Sequence, residues 1–279
     1  AFVMGGEPSR DYMAFYGEYN AFRFYGRTLT SHEIEQNALL DGARYQGRAC
    51  TFWTKEGRGD WMDALGWTCG VPETGTAAAI VQPADSIVVD VTLPVPAATN
   101  LFLANERGLT TVDVWDGGVL SLTRARLKAG RGSKLVVHEG GKVEIDETDG
   151  PGSANDPCIS AVDGGQILVD GGQMSIRGLS SSFVVPSGSE GCTGRITVAS
   201  GSLDVTEVGQ SARLRAHAGG RIEVCGDGRL NLSYAETSTS EASINYGGTL
   251  EISGNGMYTI NNRMAAANSG LVHLKDLGA

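Results

Sequence analysis

The sequence predicts an all-β chain built as a right-handed parallel β-solenoid. Three observations carry that prediction: a high glycine content, a short apolar motif that returns at a fixed phase behind a glycine turn, and the spacing of its copies. Glycine supplies 40 of the 279 residues and proline only 8, whereas the usual glycine share is about 7%. Glycine without proline argues for many tight turns, because glycine enters φ > 0 without steric cost. It argues against a collagen or a disordered linker. Apolar residues at 41% suffice for a core, and charged residues at 19% are few.

The motif is a hexad: small residue, Gly, any residue, apolar, polar or small, apolar. It reads Gly117-Gly118-Val119-Leu120-Ser121-Leu122, then Gly140-Gly141-Lys142-Val143-Glu144-Ile145. Further copies begin at Gly164, Gly171, Ser200, Gly219, Asp227 and Gly247. The pair that opens each copy makes a turn. The residues behind it alternate in, out, in, which is the period of a strand with one buried face. The alternation points Leu120, Val143, Ile167, Leu203, Ile222, Leu230 and Leu250 inward. Strands this short bury too little alone and need stacked neighbours to share a core.

Spacing separates a solenoid from a sandwich. The short steps from Gly164 to Gly171 and from Gly219 to Asp227 fit adjacent sides of one coil. The long steps, such as Gly117 to Gly140, fit a whole coil. Weaker strands at Leu135-Val136-Val137, Ile196-Thr197-Val198, Ile244-Asn245-Tyr246 and Tyr258-Thr259-Ile260 fill the gaps. A meander sandwich also turns often, but it has no need of a glycine turn at the same phase throughout. The solenoid repeats are expected over residues 76–279, behind a Trp-rich cap segment over 46–75 and a separate segment over 1–45.

In the cap segment stand three of the four tryptophans, Trp53, Trp61 and Trp67. The first coil of a solenoid has an open apolar end, and large aromatics can plug it. On this reading Trp61 and Trp67 are buried. A sugar-stacking platform is the other use of the same rings. Cys50 and Cys69 bracket the segment and can form a disulfide in an oxidising compartment; five buried thiols are the alternative.

Gly59-Asp60-Trp61, Trp67 and Gly70-Val71-Pro72 resemble the opening that precedes many bacterial surface β-helices. Together with the repeats over about 75–279, they resemble the Gly-rich passenger β-helix of autotransporter-type surface proteins. That resemblance implies a secreted or cell-surface location and names no activity. Before them, Ala21 to Tyr25 alternate like a strand, and Thr30 with Glu33 forms a capping box opening a short helix. Ile34 and Ala38 lie on one face of that helix, and Gly42 suits its end. Phe22-Arg23-Phe24-Tyr25-Gly26-Arg27-Thr28-Leu29-Thr30 with Glu33-Ile34 and Asn37 is similar to the last strand and closing helix of laminin-G-like, concanavalin-like jelly rolls. This likeness covers only residues 1–45 and carries over no binding residue. It implies a larger parent protein and a glycan partner.

The search for chemistry is largely negative. A net charge of −10 with no Lys/Arg cluster disfavours nucleic acid and anionic lipid. No apolar run approaches the roughly 18 residues of a membrane span. The start has neither the basic nor the apolar segment of a signal peptide, so one was removed or the chain is an internal fragment. No Cys-x-x-Cys pair suggests zinc or redox work, and no cofactor is expected. Glu144, Asp146, Glu147, Asp149 and Asp156 are the densest acids; they lack EF-hand spacing and read as an exposed acidic loop, with calcium as the alternative. His32, His138, His217 and His273 are scattered, with no nucleophile elbow, and His138 and His217 are expected on the surface. Arg126-Leu127-Lys128 reads as a solvated strand edge. Tyr234, Tyr246 and Tyr258 recur regularly and form either a sugar-stacking stripe or partly buried coil edges. The outward positions Ser121, Glu144, Leu168, Ser175, Asp204, Glu223, Asn231 and Glu251 carry acids without a base among them, so no catalytic residue is expected. The sequence therefore reads as a structural or adhesive surface module that meets glycans, other surface proteins or its own copies. A carbohydrate-binding module and, behind it, a polysaccharide-cleaving enzyme are the alternatives.

Overall fold

A computed structural model describes residues 50–277, apart from 82–83, 147–158, 178–183, 190–191, 209–214, 217–218, 235–240, 246, 262 and 268; before them it describes Gly26, Thr28 and Ile34. The chain divides into two compact units, 1–48 and 49–279. The strand expected within 1–45 lies outside the described residues, as do all of the helix but Ile34, which is helical, and most of the acidic loop. The Trp-rich segment belongs to the second unit together with the repeats.

The second unit is a parallel β-solenoid whose strands stack in three columns. In the first column, Gly57–Asp60 pairs with Ser86–Val91, which pairs with Leu109–Val114 and then Ser133–His138, each in parallel. The column continues through Gln166–Arg177, Arg195–Val208, Arg221–Val224, Thr249–Gly254 and Leu271–Leu277. The second column runs from Val119–Ala129 through Lys142–Asp146 and the later parts of the two long strands to Arg229–Tyr234 and Met257–Ile260. The third begins Cys50–Phe52, Ala77–Ile80, Ala98–Leu103. Antiparallel pairings interrupt the parallel order at Gly188 with Thr193 and Ser189 with Cys192, and at the isolated bridge of Trp53 with Trp67.

Register explains the core. Leu120, Val143, Met174, Leu203, Leu230 and Tyr258 stand in one inward row of the second column. Ile167, Ile196, Ile222 and Leu250 form the matching row of the first. The seven residues assigned inward from the hexads are all at most 1% exposed. Burying each such side chain contributes about 1.5–3 kcal/mol, and every coil adds several to one continuous cluster.

The glycine turns are obligatory where coils meet. Gly117 has φ +78°, and a Cβ on Gly118 would stand 2.1 Å from the Val91 carbonyl oxygen of the preceding coil. A turn with no glycine pair uses Asn105 instead. Its buried side chain donates to the Ala84 carbonyl at 2.8 Å and accepts from the backbone of Arg107 and Gly108 at 3.0 and 2.9 Å.

The tryptophans close the N-terminal end of the stack. Trp53, Trp61 and Trp67 are buried within the same cluster as the strands. Trp67 meets Trp53 and Trp61 edge-on, with centroids 5.1 and 5.0 Å apart, and its indole N–H donates to the Trp61 carbonyl at 2.8 Å. A Cβ on Gly66 would stand 2.4 Å from the Trp53 ring, so the chain passes over that ring as bare backbone. The indole N–H groups of Trp53 and Trp61 are buried with no acceptor among the described residues. Such burial costs free energy, which the apolar contact of the rings must offset. Buried rings cannot stack on a sugar, so the structure favours the plug over the platform.

Candidate functional site

The outward residues of the first column form two polar clusters. Near the cap, Asp90 and Asp113 are register partners on adjacent coils. Arg58 clamps Asp90 with both ends of its guanidinium, Nε to Oδ2 at 2.6 Å and Nη2 to Oδ1 at 2.7 Å. That hydrogen-bonded carboxylate holds the Arg58 guanidinium above its ordinary range. The Trp115 indole N–H also donates to Asp90, at 2.7 Å. His138 Nε2 lies 2.9 Å from Asp113 Oδ1, and its ring stacks on Trp115 at 3.8 Å and 3°. Arg58 approaches the Trp115 ring to 6.0 Å. His138 is thus half-buried and paired rather than simply on the surface.

The second cluster lies farther along the same column, where Thr197, Glu223, Glu251 and His273 stand in one register row. Arg221 bridges the two acids, Nε to Glu223 at 2.5 Å and Nη2 to Glu251 at 2.9 Å. Thr197 Oγ1 donates to Glu223 at 3.2 Å, Arg195 stands 3.7 Å from it, and His273 stands 3.4 Å from Glu251. The nearby Cys225 thiol is pushed up by its burial first, then by the charges of Glu223, Glu251 and Asp170.

On the second column the outward acids are sparser. Asp204 accepts from Ser202 Oγ at 2.7 Å and Asn231 Nδ2 at 2.6 Å. Glu144 stands between Ser121 and Ser175 in register. At the corner between the two columns runs a groove of about 310 Å3 with a glycine floor and Gln173, Ser202, Asp227 and Arg229 as its walls. Among the described residues no group of three His, Cys, Asp or Glu is placed to hold a metal ion, and no helix is long and apolar enough to cross a membrane.

The sequence-derived site residues come apart. Tyr258 is in register with Leu230 and packs half-buried against the core, so its ring does not join an outward sugar-stacking stripe. The side chain of Tyr234 and all of Tyr246 lie outside the described residues. Cys50 and Cys69 are free thiols, one buried and one exposed. Between them, Thr51 Oγ1 accepts from the Cys69 N–H at 3.1 Å and donates to the Gly70 carbonyl at 3.0 Å, which ties the backbone of residues 69 and 70 to the strand Cys50–Phe52. Burial, and then the charge of Cys69, pushes the Cys50 thiol up to about 11.

Trp115, Arg58, Asp90 and Asp113 were not singled out by the sequence, which marked His138 alone of this cluster. Their signal was the shared phase of Val89-Asp90-Val91 and Val112-Asp113-Val114, which places two acids side by side once coils are stacked. The class the fold defines is therefore a parallel β-solenoid with paired polar ladders on its outer face. No protein-family model matches the chain, and neither a curated protein nor a solved structure matches it.

Proposed function

We propose that residues 49–279 serve as a non-catalytic structural or adhesive module of a secreted or cell-surface protein. The observation that carries this reading is the fate of the outward acids. Glycosidic cleavage uses two carboxyl groups that flank the scissile bond and are free to meet it. Glu223 and Glu251 sit on adjacent coils, but Arg221 fills the space between them. Asp90 is held by Arg58 and Trp115, and Asp113 by His138. Asp204 is occupied by Ser202 and Asn231. Half-exposed pairs of this kind contribute little stability and tie down the groups that cleavage would require. The glycine repeat and the Gly59-Asp60-Trp61 opening, which resemble bacterial surface β-helices, support the extracellular setting.

The test is a reducing-end assay on the purified chain with polygalacturonate, alginate and a neutral glucan. No release is expected from any of them. Release that disappears on Glu223→Gln or Glu251→Gln would overturn the reading.

A further inference from the structure

We propose that the groove at the corner between the first and second columns binds a neutral, linear glycan through Gln173, Ser202, Asp227 and Arg229. This rests on the non-catalytic reading above and names the partner class.

The floor of the groove is set by the same constraint that makes the repeat. A Cβ on Gly172 would stand 2.5 Å from the His138 carbonyl oxygen, and one on Gly201 would stand 2.0 Å from the Gly172 carbonyl oxygen. These corners must stay bare backbone, and a trough of about 310 Å3 runs over them. Its wall is ordered by register, since Gln173, Ser202 and Arg229 are successive partners on three coils. Neighbouring strands lie about 4.8 Å apart, so this row extends roughly 10 Å along the solenoid axis. An extended polymer lying along the axis meets all three.

The wall's chemistry selects the polymer. The Gln173 amide and the Arg229 guanidinium donate, the Asp227 carboxylate accepts, and the Ser202 hydroxyl, whose proton goes to Asp204, offers its lone pairs; donors beside acceptors match vicinal sugar hydroxyls that both donate and accept. The floor is the bare backbone of Gly171, Gly172 and Gly201, with no side chain to keep a sugar ring off it. Charge decides between neutral and acidic chains. Asp227 at the lip and a net charge of −10 both oppose a polyanion. Arg229 is nonetheless available: it is exposed and has no ion-pair partner among the described residues, whereas Arg221 is held by Glu223 and Glu251. Asp227 accepts from Asn255 Nδ2 at 2.9 Å on one oxygen, leaving the other for a ligand hydroxyl. With no aromatic platform in the groove, binding is weak, with Kd of about 1 mM.

The experiment is an amide-resolved NMR titration of the purified chain with cellopentaose, maltopentaose and trigalacturonate. At least one neutral pentaose is expected to shift the amides of Gly171, Gly172, Gly201 and Arg229 saturably. Arg229→Ala and Asp227→Ala should each weaken that binding about tenfold or more, roughly the loss of one hydrogen bond to a charged group. Arg195→Ala, on the other face, should leave it unchanged. Absence of saturable shifts with both neutral pentaoses, or unchanged affinity in the Arg229 and Asp227 variants, would overturn the site. Tighter binding of trigalacturonate than of either neutral pentaose would overturn the ligand class. None of these results touches the non-catalytic reading, which fails only through cleavage.

Discussion

The first and the last described coils present the same apolar phase to different surroundings. At the N-terminal end the cap indoles are at most 4% exposed, and Ile87 and Val89 behind them are fully buried. In the last described coil, Leu274 is in register with Ile252 on the inward row, yet it is 58% exposed. Val272 beside it is half-buried. The difference lies in the neighbouring layer, not in the strand. Alternation aims a side chain inward, but burial requires a coil or a plug on both sides of it.

That comparison can be broken most forcefully at the cap. Trp61→Ala and Trp67→Ala should each destabilise the chain by about 3–5 kcal/mol, as large-to-small changes of buried aromatics do. Leu274→Ala should stay within about 0.5 kcal/mol, as for a surface position. Thermal unfolding checks both. Unchanged Tm values in the two Trp variants, or a loss in the Leu274 variant equal to theirs, would remove the distinction between the ends.

The inward residues behind glycine turns were legible because a strand with one buried face writes its period directly into the sequence. The third column was not. Ala77-Ala78-Ala79-Ile80 is buried at every position, so it shows no alternation to read. Tyr258 misled for a related reason: regular spacing along the chain is not regular spacing across coils, and its register with Leu230 turns it inward. Asn105 gave no sign because its partners, Ala84 and the backbone two and three residues on, are set by the turn geometry. The ladder acids were visible as single residues. Arg221, two residues before Glu223 on one strand, was readable as its partner, whereas Arg58 and His138 become neighbours of Asp90 and Asp113 only after the coils stack.

A smaller effect sharpens the contrast within the cap. With its thiol pushed up to about 11 by burial, Cys50 is almost entirely protonated at pH 8, and the thiolate is the reactive form. Iodoacetamide applied to the reduced chain at that pH should label exposed Cys69 well before Cys50, as peptide mass mapping would reveal. Equal labelling rates would mean that the strand Cys50–Phe52 opens freely and that the plug does not hold it.

Native-state hydrogen exchange, resolved by strand, addresses the central claim most directly, because protection reports how cooperatively each layer is held. Strong protection is expected in the middle coils, at Leu135–Val137, Ile167–Val169 and Ile196–Val198. Protection should persist up to the capped end at Ile87–Val91 and fall at Leu271–Leu277. Protection as high over Leu271–Leu277 as over Ile167–Val169, or lost at Ile87–Val91 as it is at the last coil, would contradict the claim that burial in this fold depends on a layer on either side.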